Sequence, residues 1–163
     1  MKREFLAVAR GVEVAVDLLS RVAVVAMTLL VLVQVVLRYV LKVPLVWVEE
    51  ATVFLMIWMA FMGAAIGVRR GAHIAMTILV DRLPARVAGA FYHVGTVAVI
   101  AFAGVVVWEG VQLVLSVGGQ RSAALGLPMT IPYLIVPLGA LLIILQAIAN
   151  TIDPPRPVSV DVD

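Results

Sequence analysis

The chain has no cysteine among its 163 residues, which excludes disulfides, thiolate metal sites and thiol nucleophiles. Charge is scarce as well. Asp, Glu, Lys and Arg make up 13% of the sequence, against roughly a quarter in ordinary soluble domains. No hydrophilic block is long enough to fold as a soluble domain, so extramembrane chemistry has nowhere to reside. The net charge of +2 comes without a basic cluster of the kind that binds nucleic acid. Catalytic motifs are missing too: there is no glycine-rich phosphate loop, no His-Glu-x-x-His and no recognisable Ser/His/Asp set. The expectation is therefore no catalytic residue, no metal and no bound cofactor.

What the chain does have is apolar length. Hydrophobic residues make up 64% of it, gathered in four stretches at about 22–37, 46–68, 87–107 and 131–148. A helix of about 20 apolar residues crosses a bilayer. The fold class predicted is thus an all-α integral membrane protein. It has four transmembrane helices, an N-terminal amphipathic helix over residues 1–21 and a short interfacial helix near residues 74–83. The tail from residue 149 to 163 is polar and proline-rich and is predicted to be disordered.

The arm at 1–21 places Arg3, Arg10, Glu13, Asp17 and Arg21 on one narrow helical stripe, with Asp17 and Arg21 in the favourable i,i+4 order. These charges interrupt any continuous apolar core after the basic start, against a signal peptide. Two readings stand: an amphipathic helix lying on the membrane or on a partner, or a polar extension of the first span. After the second span, Arg69, Arg70, Arg82 and Arg86 make the most basic loop. Its stretch 74–83 is too short to cross a bilayer, and Pro84 closes it.

Four spans put both termini on one side, and the positive-inside rule chooses which. Nine Lys and Arg lie with the termini and the 69–86 loop, while Arg38, Lys42 and Arg121 alone lie opposite. Both termini are accordingly cytoplasmic, and Glu49, Glu50 and Glu109 face outward. In the last span Pro132 sits in the first turn, where proline is tolerated, and Pro137 predicts a kink.

The second span organises the rest. Glu49 and Glu50 occupy its first turn beside Trp47. On a 100° wheel Trp47, Glu50, Phe54, Trp58, Phe61 and Ala65 share one face, while Glu49, Met56, Ala60, Gly63 and Gly67 share the other. The small residues predict close approach of another helix, and the aromatic face meets lipid or a partner protein. The two carboxylates should therefore have different neighbours. A plainer reading makes Trp47 a member of the interfacial belt and both glutamates favourable charges at a helix N-terminus. Arg38 either snorkels to the interface or pairs with Glu49 or Glu50 across the Lys42-Val43-Pro44 turn. Arg69 and Arg70 read as charges of the cytoplasmic interface, and His73, formally a proton-linked switch or a ligand, reads beside them as a solvated or hydrogen-bonded interface residue.

His73 and His93 are formally enough for two axial haem ligands, but one lies in the basic loop and the other just inside the third span. A transport pathway normally carries ionisable groups near the bilayer midplane, and here Gln34 and Pro137 alone interrupt the spans. That favours an anchoring or scaffolding subunit over a complete transporter. Two rivals remain: a small proton-coupled multidrug exporter, which needs a carboxylate buried within a span, and a haem-anchoring respiratory subunit.

One further pattern is family-like. Arg38-Tyr39, Trp47-x-Glu49-Glu50, Trp58-x-x-Phe61-x-Gly63-Ala64, Arg70, His73-Ile74 and Leu83-Pro84 occur in that order. With the later Ala124-Leu125-Gly126-Leu127-Pro128 and Pro137-Leu138-Gly139, they resemble the small membrane subunit of tripartite ATP-independent periplasmic (TRAP) transporters. The likeness runs from about residue 22 to 148, and Met76-Thr77 departs from it where a more polar pair is expected. It implies residence in a bacterial inner membrane and partnership with a large membrane permease subunit. That subunit carries sodium and substrate by an elevator motion, and a periplasmic substrate-binding protein delivers an organic acid. On this resemblance the small subunit braces the large one. Arg38, Trp47, Glu49 and Glu50 form the outer rim, and Phe54, Trp58, Phe61, Ala60, Gly63 and Gly67 supply helix packing or partner contact.

Overall fold

In the computed structural model, residues 2–43, 45–70 and 85–153 are described. They form helices α1 (Lys2–Tyr39), α2 (Val46–Arg69), α3 (Ala85–Ser116), α4 (Thr130–Tyr133) and α5 (Ile135–Ile152). Four helical stretches are long and apolar enough to cross a membrane: Arg3–Tyr39, Val46–Arg69, Gly89–Ser116 and Thr130–Ile152. The all-α, four-span class follows from these. The expected helix near 74–83, with His73 and Arg82, lies outside the described residues.

Residues 2–39 form one unbroken helix of 38 residues. At 1.5 Å per residue it runs about 57 Å, nearly twice the apolar thickness of a bilayer. No joint separates the charged segment from the first span, because no proline or tertiary contact interrupts the helical hydrogen bonds. Its end is well marked. Lys42 takes a left-handed conformation (φ 55°) and the Val43 N–H returns to the Leu37 carbonyl at 3.0 Å. Glycine usually fills such a position.

The last span also differs in detail from its expected limits. Helix α4 stops at Tyr133 and α5 resumes at Ile135. Pro137 explains the joint: it has no N–H to give the Tyr133 carbonyl, so the ladder lapses one turn before it. Beyond residue 148 the helix continues to Ile152, so residues 149–152 are helical rather than part of a disordered tail.

The four spans stand in an open row rather than a closed bundle. Helix α5 packs on both α2 and α3, α1 packs on α2 and touches α5 near one end, and α1 and α3 do not meet among the described residues. Of the most apolar stretch of the last span, Thr130–Ile152, 39% is buried, against 6% for the first. Two glycine crossings seat α5. A Cβ at Gly139 would lie 2.5 Å from the Phe61 Cβ, and one at Gly110 would lie 3.0 Å from Pro137 Cδ. In lipid, where neighbouring tails are as apolar as leucine, such close backbone approach is what favours helix association. Helix α1 instead uses a thin seam, with Ala9, Val16 and Ala23 buried at seven-residue spacing.

These crossings overturn the packing expected within the chain for α2. Phe61 and Trp58 on the aromatic face pack inward around Met62. Ala60 and Gly63 are exposed, and a Cβ at Gly63 would meet nothing within 4 Å. The small residue that admits a neighbouring helix to α2 is Gly139 of α5.

Candidate functional site

Polar side chains collect at the two ends of the row. At one end Glu49 and Glu50 diverge, as their places on the wheel require. Glu49 Oε1 accepts from Gln34 Nε2 at 2.9 Å and from Arg38 Nη1 at 3.2 Å, tying α1 to α2. Arg38 thus pairs with Glu49 and not with Glu50. Trp47 stands exposed beside them at the start of α2.

Glu50 reaches the segment 117–129 that joins α3 to α4. Its Oε2 accepts from the Ala124 N–H at 3.0 Å and the Leu125 N–H at 2.8 Å. That segment is otherwise self-supported. Arg121 and Pro128 form an antiparallel bridge, Ser122 N–H donates to the Leu127 carbonyl at 2.8 Å, and Gly126 sits at φ 65°, where side chains are strained. Beneath it lies an apolar hollow of about 340 Å³ lined by Phe54, Trp58, Leu125 and Ile131 among others. Glu50 is therefore the tie that fastens the loop to α2. We expect Glu50→Ala to release it, with trypsin cutting after Arg121 several-fold faster in the folded protein. Unchanged cleavage would show that the loop holds itself.

The other end is built around Arg69. Its side chain is only 10% exposed, a burial that its place at a span end does not foretell. The Nε donates to Glu13 Oε2 at 3.4 Å, and Nη1 donates to Asn150 Oδ1 at 2.9 Å and to the Asp153 carbonyl at 3.2 Å. Nη2 lies 3.6 Å from Asp153 Oδ2. Asn150 Nδ2 donates in turn to the Val68 carbonyl at 2.6 Å, and Tyr92 Oη donates to the Asn150 carbonyl at 3.1 Å. One arginine thus joins α1, α2 and α5, and Tyr92 brings in α3.

The reason is electrostatic. Helices α2 and α5 both finish here, presenting orphan carbonyls and the negative ends of two helix dipoles. Glu13, Asp17 and Asp153 add three carboxylates. Arg69 and Arg70 offset them, Arg70 Nη2 donating to Asp17 Oδ1 at 2.9 Å while Arg21 bridges the other oxygen. Buried nearby, Gln146 Nε2 donates to the Ala9 carbonyl at 3.3 Å, and its Oε1 has no partner among the described residues.

Asn150, Asp153, Gln146 and Tyr92 were not singled out from sequence. A signal was available, since Gln146 and Asn150 stand four apart in an otherwise apolar span, and polar residues at such depth face protein. Elsewhere the sequence candidates scatter. Gly67 is half-buried on α2, and His93 is exposed with its ring edge-on to Tyr92. No group of three His, Cys, Asp or Glu suited to a metal occurs among the described residues.

Among the described residues the two ends are built alike. Both are arrangements of ion pairs and capped carbonyls that fix one helix against the next. Residues 27–155 match the family described as "Tripartite ATP-independent periplasmic transporters, DctQ component". Over 100 residues the chain is 37% identical to the C4-dicarboxylate TRAP transporter small permease protein DctQ of Rhodobacter capsulatus, covering 60% of this chain and 44% of that one. Its likeness to the protein of the same description from Vibrio cholerae is 38% over 77 residues, covering 47% and 33%. A third relative, the isethionate TRAP transporter permease protein DctMQ of Oleidesulfovibrio alaskensis, is 32% identical over 95 residues. These are 57% of this chain and 15% of that longer one. The matched segments span less than half of each relative.

Proposed function

The chain belongs to the DctQ family of tripartite ATP-independent periplasmic transporters, and from that premise we propose that it is a static brace for a larger permease. The observation that carries this reading is the open row of helices. Helix α1 exposes most of its circumference along its whole length, and α2 presents an exposed face running from Glu49 through Met56 to Ala60 and Gly63. No span carries an unpaired ionisable group near its middle among the described residues, so the pathway for substrate lies in another subunit. The DctMQ relative supports a large membrane partner, because there the matched segment takes up 15% of one longer permease chain.

In this reading the complex takes up a small organic acid, as the relatives' C4-dicarboxylate and isethionate suggest. A periplasmic binding protein delivers it, and an ion gradient, here sodium, replaces ATP as the energy source. The chain sits in a bacterial inner membrane with the Arg69 end cytoplasmic. Arg38, Trp47, Glu49 and Glu50 form the periplasmic rim, where they hold the first helices together beside the binding protein's landing surface. An elevator domain that moves by several ångströms needs a partner with enough lipid-facing area to resist tilting, and an open row of apolar helices supplies it.

The open α2 face gives the test. In Gly63→Phe the new ring projects away from this chain's own helices, so the variant should melt within about 0.5 kcal/mol of the parent. Copurification with the large permease and organic-acid uptake should both fall at least about tenfold, the size expected when one bulky side chain blocks close helix approach. Full copurification and uptake in Gly63→Phe would sink the proposed use of this face. Purification of the chain as a homodimer without a larger membrane partner would sink the brace itself.

A further inference from the structure

Close to the Arg69 cluster, a cavity of about 310 Å³ opens between α1 and α2, lined by Arg10, Glu13, Val14, Asp17 and Arg70. From it we infer that the chain binds one membrane phospholipid whose headgroup combines a phosphodiester with a primary ammonium.

Arg10 and Arg70 are each more than half exposed and each committed through a single nitrogen. Arg10 Nη2 lies 3.3 Å from Asp153 Oδ2, and Arg70 Nη2 lies 2.9 Å from Asp17 Oδ1. A guanidinium has five N–H donors, so both keep donors for a phosphate, which they grip bidentately better than lysine does. Glu13 gives Oε2 to Arg69 and retains Oε1 as an acceptor in the same cavity. Two cations and two carboxylates around one hollow offer partners to both signs of charge, which suits a zwitterion better than a purely anionic headgroup.

A second, independent feature assigns the ligand to the membrane rather than to solution. From Val14 in the cavity wall, an exposed apolar strip runs along α1 through Leu18, Val22, Val25 and Leu29. The spacings of four, four, three and four keep these side chains on one helix face. Phosphate at the cavity and acyl chain along this strip is the layout of a phospholipid standing at its natural depth. A free phosphate would leave the strip unused.

The test uses delipidated, purified protein in detergent and native mass spectrometry, with phosphatidylethanolamine, phosphatidylglycerol and phosphatidylcholine of equal chain length. Phosphatidylethanolamine should be retained about tenfold better than either of the others, since choline has no N–H and glycerol no charge. Arg10→Gln, which loses one exposed ion pair and folds normally, should lower that retention about tenfold, with Arg10→Lys in part restoring it. Leu18→Gln, on the acyl strip and outside the charged cluster, should lower it independently, and Arg38→Gln at the far end should not. Equal retention of the three lipids would overturn the inference, as would retention indifferent to both Arg10→Gln and Leu18→Gln. Competition by glycerophosphoethanolamine or inorganic phosphate at lipid-like concentrations would overturn the membrane source.

Discussion

Replacing Arg69 by leucine is expected to destabilise the folded chain by about 3–5 kcal/mol, the usual result of removing one partner from a buried ion pair. The size follows from what would be left behind. Glu13 would keep its charge in a part-buried setting without the cation that faces it, and Asp153 would be left with Arg10 as its one partner among the described residues. The Asp153 carbonyl and Asn150 Oδ1 would each lose a donor. Arg69→Lys should fall between, because a single ammonium keeps the charge but not the fork that serves Glu13, Asn150 and Asp153 together. By contrast the Arg38–Glu49 pair, with both side chains more than half exposed, belongs to the class worth about 0–1 kcal/mol. Thermal melting of the detergent-solubilised protein followed by size-exclusion chromatography reads the difference. A leucine variant that melts with the parent would mean that Arg69 is a spectator.

The second large effect is expected at Gly139, where substitution acts through backbone separation rather than charge. A Cβ there would lie 2.5 Å from Phe61 Cβ, 2.8 Å from Cδ1 and 2.9 Å from Cγ. The ring atoms can swing aside, but the Cβ of Phe61 is fixed to its helix. Helices α2 and α5 must therefore move apart along their crossing, and the cost of such overpacking is about 1–3 kcal/mol. Gly139→Val should lie at the upper end, and Gly139→Ala lower. The double variant Phe61→Ala/Gly139→Ala discriminates the mechanism. It removes the ring but not the Cβ contact, so it should remain destabilised, whereas a ring clash alone would be relieved. Melting of the three variants in one detergent decides between these outcomes.

Both predictions concern residues whose packing the sequence did not reveal, and the reasons differ. Arg69 was visible as a charge at a span end, the commonest location for a solvated arginine. Its burial depends on Glu13, 56 residues earlier, and on Asn150, 81 residues later, reaching the same point. Gly139 was visible within Pro137-Leu138-Gly139, but nothing local says that Phe61 lies over it. The split between Glu49 and Glu50 was more legible. Adjacent residues on a helix lie 100° apart, so one turned to Gln34 and Arg38 and the other to the 117–129 loop.

By itself the sequence determined the four apolar stretches, the all-α class and the divergence of the two carboxylates. Each of these follows from local composition and helical period, and the order of short motifs marked the family. Only the tertiary structure decided that α5 is central, that α1 runs unbroken beside α2, and which face of α2 turns inward. The physical reason is the solvent. In water a hydrophobic stripe points to the core, but in lipid both faces of a helix are apolar, and hydrophobicity no longer separates inside from outside. Phe61 went in and Gly63 stayed out through the fit of a glycine on a neighbouring helix, which is a property of pairs of helices and not of either sequence alone.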